Sequence, residues 1–390
     1  MIESASVVLA VVLPGFLNGL VGYVIPFLLI LTALVFVHEM GHFLVARRNG
    51  VRVEVFSIGF GPEIFGWTDR AKTRWKFSLI PLGGYVRMFG DANAISQPGA
   101  DQAELTEAER AVSFHGKRLS QRAWIVAAGP LANFLFAIVL LAGLFGTIGQ
   151  PFTPPVAGDV VPESAATQAG ILPGDRFVAI DGEAIERFED VQRIVRASPE
   201  RTLEIVVRRD GRDVTLSAVP KRSEVTDNFG NQQAIGLLGV TRSGVEYVRH
   251  GPLMALWRAT RETVSLSVGT LQAVGQIIVG TRSSDELGGP LRIAQMSGQV
   301  AEAGLVTVIW FMAVLSINLG LINLFPIPML DGGHLLFYAI EAARGRPLGE
   351  RAQEYGFRIG IALVFSLIIF VTWNDLVRLE VFDFIKRLAT

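Results

Sequence analysis

One short run in this sequence has the residue types and spacing for hydrolytic chemistry: His38-Glu39-Met40-Gly41-His42. On a helix, residues four apart lie one above the other. Both imidazoles can therefore hold one metal ion, with the intervening Glu39 close enough to act as a general base on a water there. Zinc is the ion that suits such a pair, and a catalytic zinc takes three protein ligands and keeps one position open. The chain has no cysteine, so the third ligand must be His, Asp or Glu. Asp331 is the candidate. It follows Asn323-Leu-Phe-Pro326-Ile-Pro328-Met-Leu330, where two prolines interrupt a helix and leave backbone that only a protein-lined cavity could satisfy inside a membrane. His334, three residues on, is the rival ligand. His115, in a polar loop, and His250, in a segment on the other side of the membrane, read as surface or boundary histidines.

The elements that must carry these residues are membrane helices. Half of the 390 residues are apolar, only 18% are charged, and mean hydropathy is +0.42, too apolar for an ordinary soluble enzyme of this length. With 35 basic against 36 acidic side chains there is no basic surplus to hold a phosphate backbone, so nucleic acid is excluded as a partner. Uncharged apolar runs at 20–37, 123–158, 303–330 and 359–374 predict four spans, the last short enough to need snorkelling arginines or a thinned bilayer. Residues 263–281 are also uncharged, but Thr, Ser and Gln interrupt them and the apolar positions fall on one face. They read as an amphipathic surface helix.

Basic residues between the first two spans, from Arg47 to Arg122, place that loop in the cytoplasm. Alternation then puts the ends of the first and third spans, with His38, His42 and Asp331, on the same side. Residues 52–90 alternate apolar and polar side chains with Gly and Pro punctuation, predicting short hairpin strands against the membrane. Residues 91–115 read as a polar loop with a turn or two of helix. The segment on the other side carries strand patterns at 175–180 and 203–208, a helix pattern at 188–197 and a hairpin signal in Arg208-Arg-Asp-Gly-Arg-Asp213.

The expected fold is thus a polytopic α-helical membrane protein with four transmembrane helices, a membrane-associated β-hairpin region and an extracytoplasmic α+β domain. Its parts are an N-terminal segment and first helix (1–48), a cytoplasmic-side β region and loop (49–121) and a second helix (122–153). A small outer domain (154–222) and a linker with the amphipathic helix (223–302) follow. The third helix (303–333) comes next, then a loop, fourth helix and tail (334–390).

The runs HEMGH, GPLAN (129–133) and NLFPIPMLDGG (323–333), with ARRNGVRVEVFSIGFG and PLGGYVRM, resemble the signature set of site-2 proteases, intramembrane zinc metalloproteases of the RseP type. The resemblance covers essentially the whole chain. It implies a zinc cofactor held by His38, His42 and Asp331, with Glu39 as general base, and Asn133 and Asn323 holding or polarising the substrate backbone. A packing role across helices is the other reading of the two asparagines. It also implies a bacterial inner-membrane protein acting on single-span membrane proteins, such as anti-sigma factors already trimmed by a first protease. A peptide bond inside a helix is shielded, so the substrate must unwind, and an edge strand beside the site could pair with it. Residues 79–88, including Gly83, Gly84 and Tyr85, are the candidate strand, with a plain structural hairpin as the alternative.

Residues 169–185, AGILPGDRFVAIDGEAI, are similar to the signature of PDZ domains, which capture chain ends by strand addition. One such signature is present where RseP-type members carry two. A folded plug without a peptide ligand is the other reading of this domain. For the whole chain the alternative is a PDZ-bearing membrane scaffold with a structural or inactive metal site. A transporter would require inverted repeats, and none is visible.

Overall fold

The computed structural model describes residues 19–90, 105–226, 232–244, 246–280, 283–284 and 287–378. The leading segment up to residue 18 and most of the expected polar loop (91–104) lie outside the described residues. The chain forms two compact units, one drawn from residues 1–141, 258–270 and 285–390 and the other from 142–257 and 271–284.

The first unit contains helix α1 (Ile25–Arg48), which continues from a π-helical turn at Leu20–Val24, and α2 (Glu107–Val112), started by a Thr106–Glu109 capping box. It also contains most of α3 (Leu119–Thr147), part of α6 (Pro252–Val279), α7 (Pro290–Glu302), α8 (Leu305–Leu324), α9 (Asp331–Arg344) and α10 (Glu350–Arg378). Among the described residues, four helices are long and apolar enough to cross a membrane: Val21–Arg48, Leu119–Thr147, Leu305–Leu324 and Arg351–Val377. The fourth continues as helix on both sides of its expected uncharged run, 27 residues or about 40 Å at 1.5 Å each.

The third apolar run behaves differently from its expected continuation to Leu330. Helix α8 stops at Leu324 because Pro326 and Pro328 cannot donate to the helical ladder, and Met329 takes a left-handed φ of 97°. The chain then re-enters a helix at Asp331, where a loop is expected from 334 onward. Gly332 and Gly333 allow that return, since a Cβ on either would sit 2.3 Å from a carbonyl oxygen of the interrupted stretch.

Strands β1 (Val53–Thr68) and β2 (Arg74–Met88) are longer than the expected short hairpins, and each bends. Gly59 and Gly83, at φ of 88° and 103°, make the bends. Residues 53–58 are consequently flanked by 84–88 on one side and 74–77 on the other, while 63–68 pairs back onto 74–78. This leaves 84–88 as an edge. The sheet rests on the helices through Phe43 and Ala46 of α1, Phe56, Val86 and Met88 of the strands, and Ile125 and Val126 of α3, all buried. Phe56 stacks on Trp75 at 4.5 Å and meets Phe43 edge-on at 5.6 Å. Each buried ring contributes roughly 2–3 kcal/mol, enough to fix the edge strand against the ends of α1 and α3. Helices α1 and α3 themselves approach closely because Gly41 has no side chain to meet the Ala128 carbonyl.

The second unit holds a four-stranded sheet in the order β6-β5-β7-β8, from β5 (Arg176–Ile180), β6 (Glu183–Ala184), β7 (Leu203–Arg209) and β8 (Arg212–Ala218). Helix α5 (Phe188–Arg196) turns Phe188, Val191, Ile194 and Val195 into a core with Phe177, Ile180, Leu203, Ile205 and Val207. Asp210 and Gly211, both at positive φ, make the tight turn that the Asp-Gly pair signals. The boundary expected at 222 falls short. Strand β4 (Ala157–Val160) pairs with β11 (Val240–Arg242), Leu238 joins the core, and a β9–β10 hairpin (Lys221–Thr226, Gln232–Leu237) fills part of the expected linker. Pairing partners eighty residues apart leave no local signal in the sequence.

Candidate metal centre

Helix α1 presents His38 and His42 one turn apart, and the first residue of α9 brings Asp331 to them. Among the described residues, these three form the group of donors with one ligand atom each within 4.8 Å of one another. The Nε2 atoms of the two histidines are 3.3 Å apart, and Asp331 Oδ2 lies 3.2 Å from one and 3.5 Å from the other. A tetrahedral zinc with bonds of about 2.0–2.1 Å holds its ligands roughly 3.3–3.4 Å apart, so the spacing fits the ion. Asp331 Oδ2 is buried and has no polar neighbour besides the two imidazoles, as expected for an oxygen reserved for a cation. Three is the number of protein donors that a catalytic zinc takes, against four in a structural site.

The cavity around this group, about 200 Å³, is lined by Glu39, Gly84, Tyr85, Val86, Asn323 and His334 along with the three donors. Glu39 lies on the turn between the two histidines, and the Val86 backbone N–H donates to its carboxylate, fixing it beside the edge strand. Two carboxylates, Glu39 and Asp331, thus share a secluded pocket, and a dication compensates the charge that burial would otherwise disfavour. Asn323 donates Nδ2 to the Leu319 carbonyl at 3.0 Å on its own helix, which leaves its Oδ1 for the cavity.

The remaining candidates are placed as follows. Gly84 and Tyr85 line the cavity, but Gly83 does not: it makes the bend, packed so closely on the Phe60 ring that a Cβ would fall 2.6 Å from it. His334 borders the cavity without joining the donor group. With His115, Arg122 and Glu341 it also lines a second polar cavity of about 240 Å³, so His115 is not a simple surface residue. Asn133 is fully buried, and its amide nitrogen sits 3.2 Å from His38 Nδ1, so it touches a ligand and not the cavity. Sequence reasoning also misses Ile125, whose carbonyl accepts from His42 Nδ1 at 2.9 Å, and Gly129, which abuts both imidazoles. Their spacing with Asn133, four residues each, is the signal that could have found them.

The model of peptidase family M50 matches residues 26–367, most of the chain. The chain belongs to peptidase family M50. A protein of Agrobacterium fabrum that carries a zinc-metalloprotease name is 49% identical over 367 residues, covering 93% of this chain and 97% of its own. One of Rhizobium meliloti with a similar name is 49% identical over 360 residues, covering 91% and 96%. Metalloprotease MmpA of Caulobacter vibrioides is 37% identical over 398 residues, covering 95% and 100%. The family and these relatives make the chain a site-2-protease-type zinc metalloprotease, whose family acts on membrane proteins. Among solved structures, the PDZ domain of an SdrC-like protein of Listeria monocytogenes covers 23% of this chain and 88% of its own at 16% identity. Its TM-score is 0.18, too slight a likeness to bear on the fold.

Proposed function

We propose that this M50 protease is an intramembrane zinc endopeptidase that hydrolyses peptide bonds within or near the membrane segment of single-span proteins, in regulated proteolysis such as anti-sigma factor cleavage. The observation that carries this reading is the position of the donor group. Its two histidines lie on a candidate membrane helix, Asp331 joins them from the short helix that follows another, and a sheet edge able to take an extended chain stands beside them. In this reading His38, His42 and Asp331 hold the zinc. A zinc ion held there would supply Lewis acidity, lowering the pKa of a water toward neutrality and polarising the peptide carbonyl. Glu39 takes the proton from the attacking water and returns it to the leaving amine. Asn323 Oδ1 accepts from the N–H of an unwound substrate peptide, and the 84–86 edge pairs with the substrate backbone.

The chain lies in a bacterial inner membrane with the loop between the first two spans in the cytoplasm, as its arginines favour. The second unit is then an extracytoplasmic PDZ domain that selects substrates already trimmed. A cavity of about 430 Å³ between α5 and residues 236–240, walled by Phe188, Val191, Val195, Leu237 and Val240, supports peptide capture over an inert plug.

The test is cleavage of a single-span reporter, its outer domain already removed, by wild type and by Glu39→Gln, with zinc measured in both. Cleavage by wild type alone at equal zinc content is expected. Equal cleavage by both would remove Glu39 from the chemistry.

A further inference from the structure

Three residues of α3 meet the two histidines of α1: Ile125, Gly129 and Asn133, spaced so that they stack on one face over two turns. At the lower end, His42 Nδ1 donates to the Ile125 carbonyl. Pro130 lies in this stretch and has no N–H, so the carbonyl it leaves without a helical donor is that of Val126, next to Ile125. Gly129 leaves the space both rings occupy. At the upper end stands Asn133, fully buried, with Nδ2 3.2 Å from His38 Nδ1 and Oδ1 without a hydrogen-bond partner. Its turn of helix is tied down from α8, where Ser316 Oγ donates to the Asn133 carbonyl at 2.8 Å.

A histidine that gives Nε2 to a metal keeps its proton on Nδ1, and that proton needs an acceptor. His42 has one in Ile125. As placed, the Asn133 amide donates to His38 Nδ1, which puts the ring's proton on Nε2, the atom that faces Asp331. We infer that Asn133 is a positioning residue for the metal centre: with zinc bound, its amide is turned, and Oδ1 accepts from His38 Nδ1–H. Turning the amide exchanges one unpartnered buried atom for another, so the demand of the metal on Nε2 decides the orientation. The stripe on α3 then fixes both histidines in the same tautomer from one helix. The inference rests on His38, His42 and Asp331 being the zinc ligands.

The full-length protein tests it through zinc affinity, measured by competition with a chelator, on wild type, Asn133→Ala and Asn133→Asp, with thermal unfolding as the control for folding. Alanine removes the acceptor and is expected to weaken zinc ~10–100-fold, whereas aspartate keeps an acceptor and is expected to stay within about threefold of wild type. A folded alanine variant that holds zinc as tightly as wild type would overturn the inference, and a raised KM at unchanged zinc affinity would return Asn133 to the substrate. Should alanine prevent folding, the aspartate variant decides: loss of zinc from it counts against the inference, retention for it. Wild type that takes up no zinc would defeat the ligand assignment itself, a separate failure.

Discussion

A Cβ on Gly129 would lie 2.3 Å from Nε2 of His42, inside any non-bonded contact. The same atom would fall 2.9 Å from His38 Cε1, so a single methyl group presses on both imidazoles at once. Metal ligands tolerate displacements of only about 0.2 Å, and the glycine is therefore a condition of the donor geometry.

Gly129→Ala should accordingly lose zinc while keeping its helix, since alanine favours helix over glycine by about 1 kcal/mol. Zinc content by mass spectrometry and helicity by circular dichroism read the two effects separately. Full zinc and full cleavage would show that the rings can move aside.

Asp375 is a buried carboxylate on α10 whose partners are backbone N–H groups of another helix. It accepts from Gly289 at 3.0 Å and from Leu291 and Arg292 at 3.1 Å, capping α7 from across the bundle. Asp375→Ala should free the start of α7 at a cost of about 1–3 kcal/mol. Faster hydrogen exchange at Leu291 and Arg292, with exchange in α3 unchanged, is the expected readout.

Acid should weaken the second unit through Asp175, whose side chain is 1% exposed. Burial pushes its carboxyl up, but the two-pronged Arg209 contact and the Leu172 N–H outweigh this and hold it below the usual range. With the folded pKa depressed, the native state binds fewer protons than the unfolded chain. The stabilisation is complete above the unfolded value of about 4 and is lost as pH falls through the folded one. Exchange protection of β5 and β7 should fall below about pH 4 in wild type. Asp175→Asn should flatten that slope and lower stability at neutral pH, since Arg209 loses its charged partner and keeps its bond to the Gly170 carbonyl.

The site was legible where chemistry is written in local spacing. The i, i+4 histidines need only a helix, and the parity expected of the spans puts Asp331 at the same end. What spacing does not carry is which helix packs on which. Asn133 reads as a polar residue in an apolar run, and only the approach of α3 to α1 turns it toward His38. Asp375 stands one residue beyond the uncharged run that marks the fourth span, and its three acceptor bonds are made to residues more than eighty positions earlier. Helix α9 escaped for a different reason, since two prolines before it and two glycines in its first turn signal a break without saying that a helix resumes. In the second unit, the Asp-Gly turn and the face of α5 are local and readable. The return of Val240 to Val160 is not, because closing that pair depends on a core assembled from the whole intervening stretch.

The donor group joins residues near the start of the chain to one that is made much later. A ribosome must pass Asp331, and α9 must begin to form, before the third donor can meet the histidines. Until then the nascent chain holds Glu39 and both imidazoles without the third donor, so the donor group is assembled only after the whole of the second unit has been made.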